Sequence, residues 1–197
     1  MNKLIETIDL TKVYGEKETS VTALNSITTA FNENQFTAIM GPSGSGKSTL
    51  LHCLAGLDKV TSGSILINGI DLASLNDKEL TKMRRDSFGF VFQAFNLIPT
   101  LTAEENITLP SSIAGRKPEE EWVKQVIETM DIGDRLKHRP NELSGGQQQR
   151  VAAARAMASK PEVIFADEPS GNLDSKSSKE LLVFMKSIVE ELNQTIV

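Results

Sequence analysis

Apolar and polar positions alternate with different periods along the chain, and the changes of period mark its elements. Residues 3–10 (KLIETIDL) and 20–31 (SVTALNSITTAF) carry β-branched residues in partial alternation, which predicts two strands. FTAIM (36–40) is a short apolar run ending at a glycine and is expected to be a buried strand feeding a loop. STLLHCLAGL (48–57) has leucines at helical spacing and stops at Gly56. GSILING (63–69) reads as a strand between glycines. DKELTKMRRD (77–86) reads as a helix with Asp77 as its N-cap. FGFVFQ (88–93) is another apolar run.

From 102 to 158 the pattern turns helical, through TAEENITL, PEEEWVKQVIETMDI and GGQQQRVAAARAMASK, and Pro161 stops the last of these. EVIFAD (162–167) is a short buried strand, SKSSKELLVFMKSIVEEL (175–192) an amphipathic helix, and NQTIV (193–197) the start of a further strand. Strand–loop–helix units interrupted by a helical block predict an α/β domain: a mostly parallel sheet, N-terminal antiparallel strands and a helical insertion.

Composition narrows the setting. A chain of 197 residues suits one domain with an insertion. Its single cysteine, Cys53, excludes an internal disulfide and fits a reducing compartment. The N-terminus lacks the apolar stretch of a signal peptide, and no run reaches the ~18 apolar residues of a membrane span. The net charge of −5 argues against general nucleic-acid binding. The expected location is the cytoplasm, at the membrane only through a partner.

Two stretches point to phosphate. Gly41-Pro42-Ser43-Gly44-Ser45-Gly46-Lys47-Ser48 matches G-x-x-x-x-G-K-[ST] without a mismatch, between a predicted strand and a predicted helix. Glycines let the backbone close on phosphate oxygens, and successive N–H groups at a helix start form an anion nest. Lys47 is expected on the β- and γ-phosphates and Ser48 on Mg²⁺, with Thr49 beside it. In VIFADE (163–168), Asp167 and Glu168 end a buried strand, where ligands of parallel sheets bind. Asp167 is then a Mg²⁺ ligand and Glu168 the base that polarises the attacking water.

The second stretch is LSGGQQQR (143–150). It has no lysine and cannot replace the first, but Ser144, Gly145 and Gly146 at a helix start can take a γ-phosphate. Two routes remain open: the helical block folds over its own nucleotide, or the turn serves a second copy paired by a two-fold axis.

These stretches together resemble the nucleotide-binding subunit of ATP-binding cassette (ABC) transporters, and the resemblance runs along the whole chain in order. GPSGSGKST is similar to the Walker A loop, LSGGQ to the signature sequence, FADE to the Walker B strand with its catalytic glutamate, and SGNLD (170–174) to the D-loop. Tyr14 in KVYG resembles the aromatic residue that stacks on adenine. Gln93 in VFQAFNLIP resembles the Q-loop glutamine near Mg²⁺ and the attacking water. SGNLD, ETSVTALN and LIPTLTAEENI resemble the branch of lipoprotein release, macrolide export and antimicrobial-peptide export.

The resemblance implies catalytic roles for Lys47, Gln93 and Glu168. It implies ATP contacts from Tyr14, from 41–49 and from Ser144, Gly145, Gly146 and Gln147 of a second copy. Ser48, Gln93 and Asp167 are implied as the Mg²⁺ ligands, and a transmembrane permease as the partner. It further implies a core lobe of 1–93 and 159–197 and a helical subdomain of 94–158. One departure stands out: the family's switch histidine follows a strand inside which this chain stops, and His52 and His138 lie elsewhere. The expectation is a fragment of a longer protein rather than a naturally truncated copy with impaired hydrolysis, because ending mid-strand leaves an apolar edge.

Other readings are less direct. Phe92, Phe95, Leu97, Ile98 and Pro99 form either a groove gripping a membrane subunit's helix or local core. Trp122, Val126, Ile127 and Met130 read as core packing, and Cys53 as an inert buried thiol. Arg84, Arg85, Arg150 and Arg155 are expected to be solvated or interdomain charges. The histidines lack companions at metal-ligand spacing, so no zinc is expected. A soluble non-transport cassette protein usually fuses two cassettes or inserts coiled coils, which this chain does not show. A phosphate-loop kinase leaves LSGGQ and SGNLD unexplained, and an inactive binding module is the remaining competitor.

Overall fold

The computed structural model describes residues 2–16, 19–92, 94–169 and 175–197, without the side chains of 175–178. Gln93 and the SGNLD segment therefore lie outside the described residues. The chain divides into two compact units, residues 1–84 with Val197, and residues 85–196.

The first unit is built on an antiparallel sheet of order β2-β1-β3-β4, from β1 (Lys3–Tyr14), β2 (Val21–Asn32), β3 (Ser62–Ile67) and β4 (Ile70–Asp71). Long alternating strands can satisfy their own backbone groups in a hairpin, so β1 and β2 pair from Lys3↔Asn32 to Tyr14↔Val21. On its other edge β1 pairs with β3, Ile5 opposite Ile67. Leu4, Ile5, Leu10, Leu24, Phe31, Ile65 and Ile67 are buried. Helix α1 (Lys47–Leu54) buries Leu50, Leu51, Cys53 and Leu54.

Helix α2 (Asp77–Ser87) starts one residue after its cap. Asn76 Oδ1 accepts from the amides of Lys78 and Glu79, and Glu79 Oε2 accepts from the Asn76 amide. Asp77 is thus the first helical residue and not the N-cap expected of it, because the amide oxygen one position earlier already holds the free N–H groups. The FTAIM expectation also changes: Phe36 is a lone bridge residue, 37–40 form no strand, and Met40 is 89% exposed. The four strands of this unit pair among themselves, and an apolar run without a ladder on either side has nothing to make it a strand.

In the second unit β5 (Phe88–Phe92) and β6 (Val163–Asp167) pair in parallel, from Phe88↔Val163 to Phe92↔Asp167. Ile196 makes a single parallel bridge to Ile164, so NQTIV supplies one bridge where a strand was expected. The Ile164 amide donates to the Thr195 carbonyl at 2.8 Å.

Around this pair lie α3 (Ala103–Ile113), α4 (Glu120–Thr129), α5 (Gly145–Met157) and α6 (Ser175–Leu192). The alanines of α5 let it come close to β5: a Cβ on Gly89 would lie 2.4 Å from the Ala156 carbonyl oxygen. Trp122, Val126 and Met130 are buried as expected, and Trp122 Nε1 donates to the Met157 carbonyl at 2.8 Å. Phe88 meets Phe165 edge-on at 5.3 Å. No helix among the described residues is long and apolar enough to cross a membrane.

Candidate functional site

The phosphate-loop sequence folds into an exposed turn that enters α1. Gly46 is the N-cap residue at φ 88°, a conformation costly for any side chain, and a Cβ there would lie 2.4 Å from the Ala23 carbonyl oxygen. No side chain caps this helix start and no acidic residue lies in its first turn. Its N-terminal N–H groups and dipole are therefore offered to an anion. Lys47 Nζ donates to the Pro42 carbonyl at 3.0 Å, so the ammonium is folded over the loop it would share with a phosphate.

Tyr14 ends β1 with its ring 42% exposed. Its hydroxyl donates to Asp58. Asp58 accepts from Lys12 Nζ at 2.6 Å, and Lys12 also donates to the Lys59 carbonyl. The ammonium holds the Asp58 carboxyl below its usual range. The carboxylate in turn raises both Lys12 and the Tyr14 phenol. Burial pushes the Cys53 thiol up to about 11, which keeps it protonated and unreactive at neutral pH.

In the second unit, parallel pairing sets the carboxyl ends of β5 and β6 side by side, Phe92 opposite Asp167. Asp167 is half-buried as the last strand residue. The next residue, Glu168, turns at φ 46° and is exposed. A left-handed non-glycine residue costs roughly 1–2 kcal/mol, so the turn that carries this carboxylate outward is strained.

The signature turn is built differently. Ser144 caps α5: its Oγ accepts from the Gln147 amide at 3.3 Å, and Gln147 Oε1 accepts from the Ser144 amide at 2.9 Å. A Cβ on Gly145 or Gly146 would meet nothing within 4 Å. Beside the turn is a cavity of about 330 Å³ lined by Ser144, Gly146, Gln147, Gln149, Arg150 and Phe184, among others. Gln149 is buried, and neither atom of its amide has a hydrogen-bond partner among the described residues.

Several supporting residues escape a sequence reading. Asn106, fully buried, accepts from the Ile98 amide and donates to the carbonyls of Ile98, Leu101 and Thr102. Arg155, expected as a solvated or interdomain charge, is half-buried. It donates to the Phe95 and Asn96 carbonyls, both residues at positive φ, and burial lowers its pKa. The guanidinium is held there because those turned carbonyls need donors. Arg84 donates to Gly56, and Arg150 to Met130 while lying 5.4 Å from the Phe184 ring. Phe92, Phe95 and Leu97 are half-buried, while Ile98 and Pro99 are exposed.

The family model described as "ABC transporter" matches residues 24–171. Bacitracin export ATP-binding protein BceA of Halalkalibacterium halodurans is 45% identical over 98% of this chain and 78% of its own length. Macrolide export ATP-binding/permease protein MacB of Marinobacter nauticus is 49% identical over 91% of this chain, which spans only 28% of that protein. The ATP-binding cassette MJ0796 of Methanocaldococcus jannaschii has been solved as a dimer in a post-hydrolysis state bound to ADP and Pi. It superposes with a TM-score of 0.82 at 44% identity, covering 98% of this chain and 86% of that one. With Gly46, Lys47, Ser144 and Glu168 at turns that their local structure can hold, the chain belongs to the ABC transporter family, as an ATP-binding cassette with ATPase chemistry.

Proposed function

We propose that the chain drives an exporter by pairing with a second copy around ATP, each copy offering its signature turn to the nucleotide on the other's phosphate loop. The observation that carries this reading is the state of Gly145 and Gly146. Neither has a positive φ, and neither is needed for space within its own unit. Glycine is then the choice that lets an outside group reach the first turn of α5. That the MJ0796 cassette has been solved as a dimer bound to ADP and Pi supports nucleotide-linked pairing.

Within that reading Tyr14 takes the base, and 41–49 with Lys47 takes the phosphates. Ser48, Gln93 and Asp167 supply oxygen donors to Mg²⁺, and Ser144, Gly145, Gly146 and Gln147 of the second copy close over the γ-phosphate. Hydroxyl, amide and carboxylate oxygens suit this hard cation. Held there, Mg²⁺ would supply neutralisation of the phosphate charge. Glu168 takes the proton of the attacking water, and its exposure on a strained turn leaves the carboxylate open to a substrate. Donors fixed around the transferred phosphoryl group supply most of the acceleration.

The partner on the membrane side is a permease, and the names of MacB and BceA favour macrolide or antimicrobial-peptide export. Exposed Ile98 and Pro99 fit a docking edge for it. The assignment of 1–93 and 159–197 to a core lobe and 94–158 to a helical subdomain is consistent with α3, α4 and α5 falling inside the latter.

Sedimentation of the Glu168→Gln chain tests the pairing. A dimer with MgATP, and a monomer with MgADP or no nucleotide, is the expected result. A monomer under all three conditions, with ATP demonstrably bound, rejects it.

A further inference from the structure

Lys12 and Tyr14 are two residues apart on β1, and both converge on one carboxylate 44 and 46 residues later in the chain. Lys12 Nζ is 2.6 Å from Asp58 Oδ1 and 2.6 Å from the Lys59 carbonyl oxygen. The Tyr14 hydroxyl takes the other carboxylate oxygen. The Lys12 and Asp58 side chains are 11% and 29% exposed, against 76% and 67% for the surface pair Lys124–Glu128. The network is thus shielded from the screening that makes ordinary surface ion pairs weak.

Its geometry has two consequences for the ring. The carboxylate fixes the phenol oxygen and so the rotamer of Tyr14. The Lys12 ammonium also lies 4.6 Å from the ring centroid, a cation–π contact that occupies one face. A base stacking on that face would have to break both Lys12 hydrogen bonds. The opposite face is the one left to a base, on a residue that is 42% exposed.

We propose that Lys12 and Asp58 are positioning residues for nucleotide recognition: they lock the Tyr14 ring and reserve its other face for the base. The inference rests on the reading of Tyr14 as the base platform. Its physical content is preorganisation. A ring already held in one rotamer does not lose that freedom when the base stacks. A merely structural role, tethering β1 to the loop after α1, would not distinguish a nucleotide from a bare polyphosphate.

The test measures MgATP and Mg-tripolyphosphate affinity by calorimetry on the full chain, since tripolyphosphate has no base to stack. Tyr14→Ala should weaken ATP by about 10-fold and leave tripolyphosphate unchanged, in line with the usual worth of base–aromatic stacking. Lys12→Met and Asp58→Asn should each weaken ATP by about 3- to 10-fold with tripolyphosphate unchanged. Lys12→Arg, which keeps the cation, should recover most of the loss. Asp58→Asn should add nothing in a Tyr14→Ala background.

Unchanged ATP affinity in Lys12→Met and Asp58→Asn, beside a base-specific loss in Tyr14→Ala, overturns this inference alone. Equal weakening of both ligands in Asp58→Asn and Lys12→Arg, in folded protein, overturns it in favour of a structural tether. No base-specific loss in Tyr14→Ala overturns the platform reading and this inference with it.

Discussion

The two helix starts proposed to take phosphate, at α1 and at α5, look alike in sequence and are opposites in structure. At α1 the cap position is a glycine at positive φ, without a side-chain cap, with a lysine folded over the turn. At α5 the cap is a serine in a reciprocal hydrogen-bonded box with Gln147, and the two glycines follow it in open space. The first turn has no side-chain cap from its N-cap residue and a cation beside it, so its helix dipole is left for an anion. The second is already finished as a helix cap, and the space above it is what it offers. A glycine at α1 is there for its own fold, and the glycines at α5 are there for something outside it.

That contrast is sharpest at Gly46. Gly46→Ala should be the most damaging change, because the new Cβ meets the Ala23 carbonyl at 2.4 Å in a left-handed backbone. We expect destabilisation of roughly 2 kcal/mol or more and loss of ATP binding, read by urea unfolding and calorimetry. If Gly46→Ala leaves both unchanged, the loop is not the strained cradle described.

At α5 the same chemical change should act in the opposite direction on stability. Gly146→Ala has room, and should raise the unfolding free energy of the isolated chain by about 0.5 kcal/mol while weakening ATP-dependent pairing. Loss of stability in this variant would show that Gly146 is constrained inside its own unit. Ser144→Ala sits between these extremes. It removes the cap of α5 and should cost about 1 kcal/mol, measured by urea unfolding.

The smallest effect is electrostatic and belongs to the first unit. Lys12 depresses the folded-state pKa of Asp58 below the ordinary 3.8. The associated stability is complete above that value and is lost as pH falls through the folded pKa. The partner group has the mirror dependence: Lys12 is raised above 10.5, so its share is complete below that pH and lost as pH rises through its folded pKa. Asp58→Asn should flatten the acid limb of stability against pH, and an unchanged slope would mean that the pair contributes nothing net.

How much of this was legible in the sequence depended on distance along the chain. Strands β1 and β2 and helix α6 follow from their own periodicity, and α6 falls on the predicted 175–192. The two phosphate-facing turns are contiguous sequences, so their residues are found together before any fold is known. FTAIM and NQTIV show the limit: being apolar and short does not make a strand, since the ladder comes from a neighbour that sequence does not place. The supports of the site are hidden for the same reason. Lys12 and Asp58 lie 46 residues apart, Arg155 and Asn96 59 apart, and no periodicity links them. Asn106 sits one position before a buried isoleucine in an ordinary helix, where nothing marks its amide as the clasp of the preceding loop.

The central claim is that the α1 turn of one chain and the α5 turn of another make one site. It is tested most directly by mixing two defective chains, Lys47→Ala and Gly146→Asp, each unable to trap MgATP in a dimer by itself. If the turns act across chains, a mixed dimer has one site carrying both defects and one carrying neither. The account predicts that the mixture regains nucleotide-dependent pairing and ATP turnover that neither chain has alone. A mixture as inactive as its parts, with both chains folded and Gly146→Asp still binding ATP, would contradict it and place both turns on a nucleotide held within a single chain.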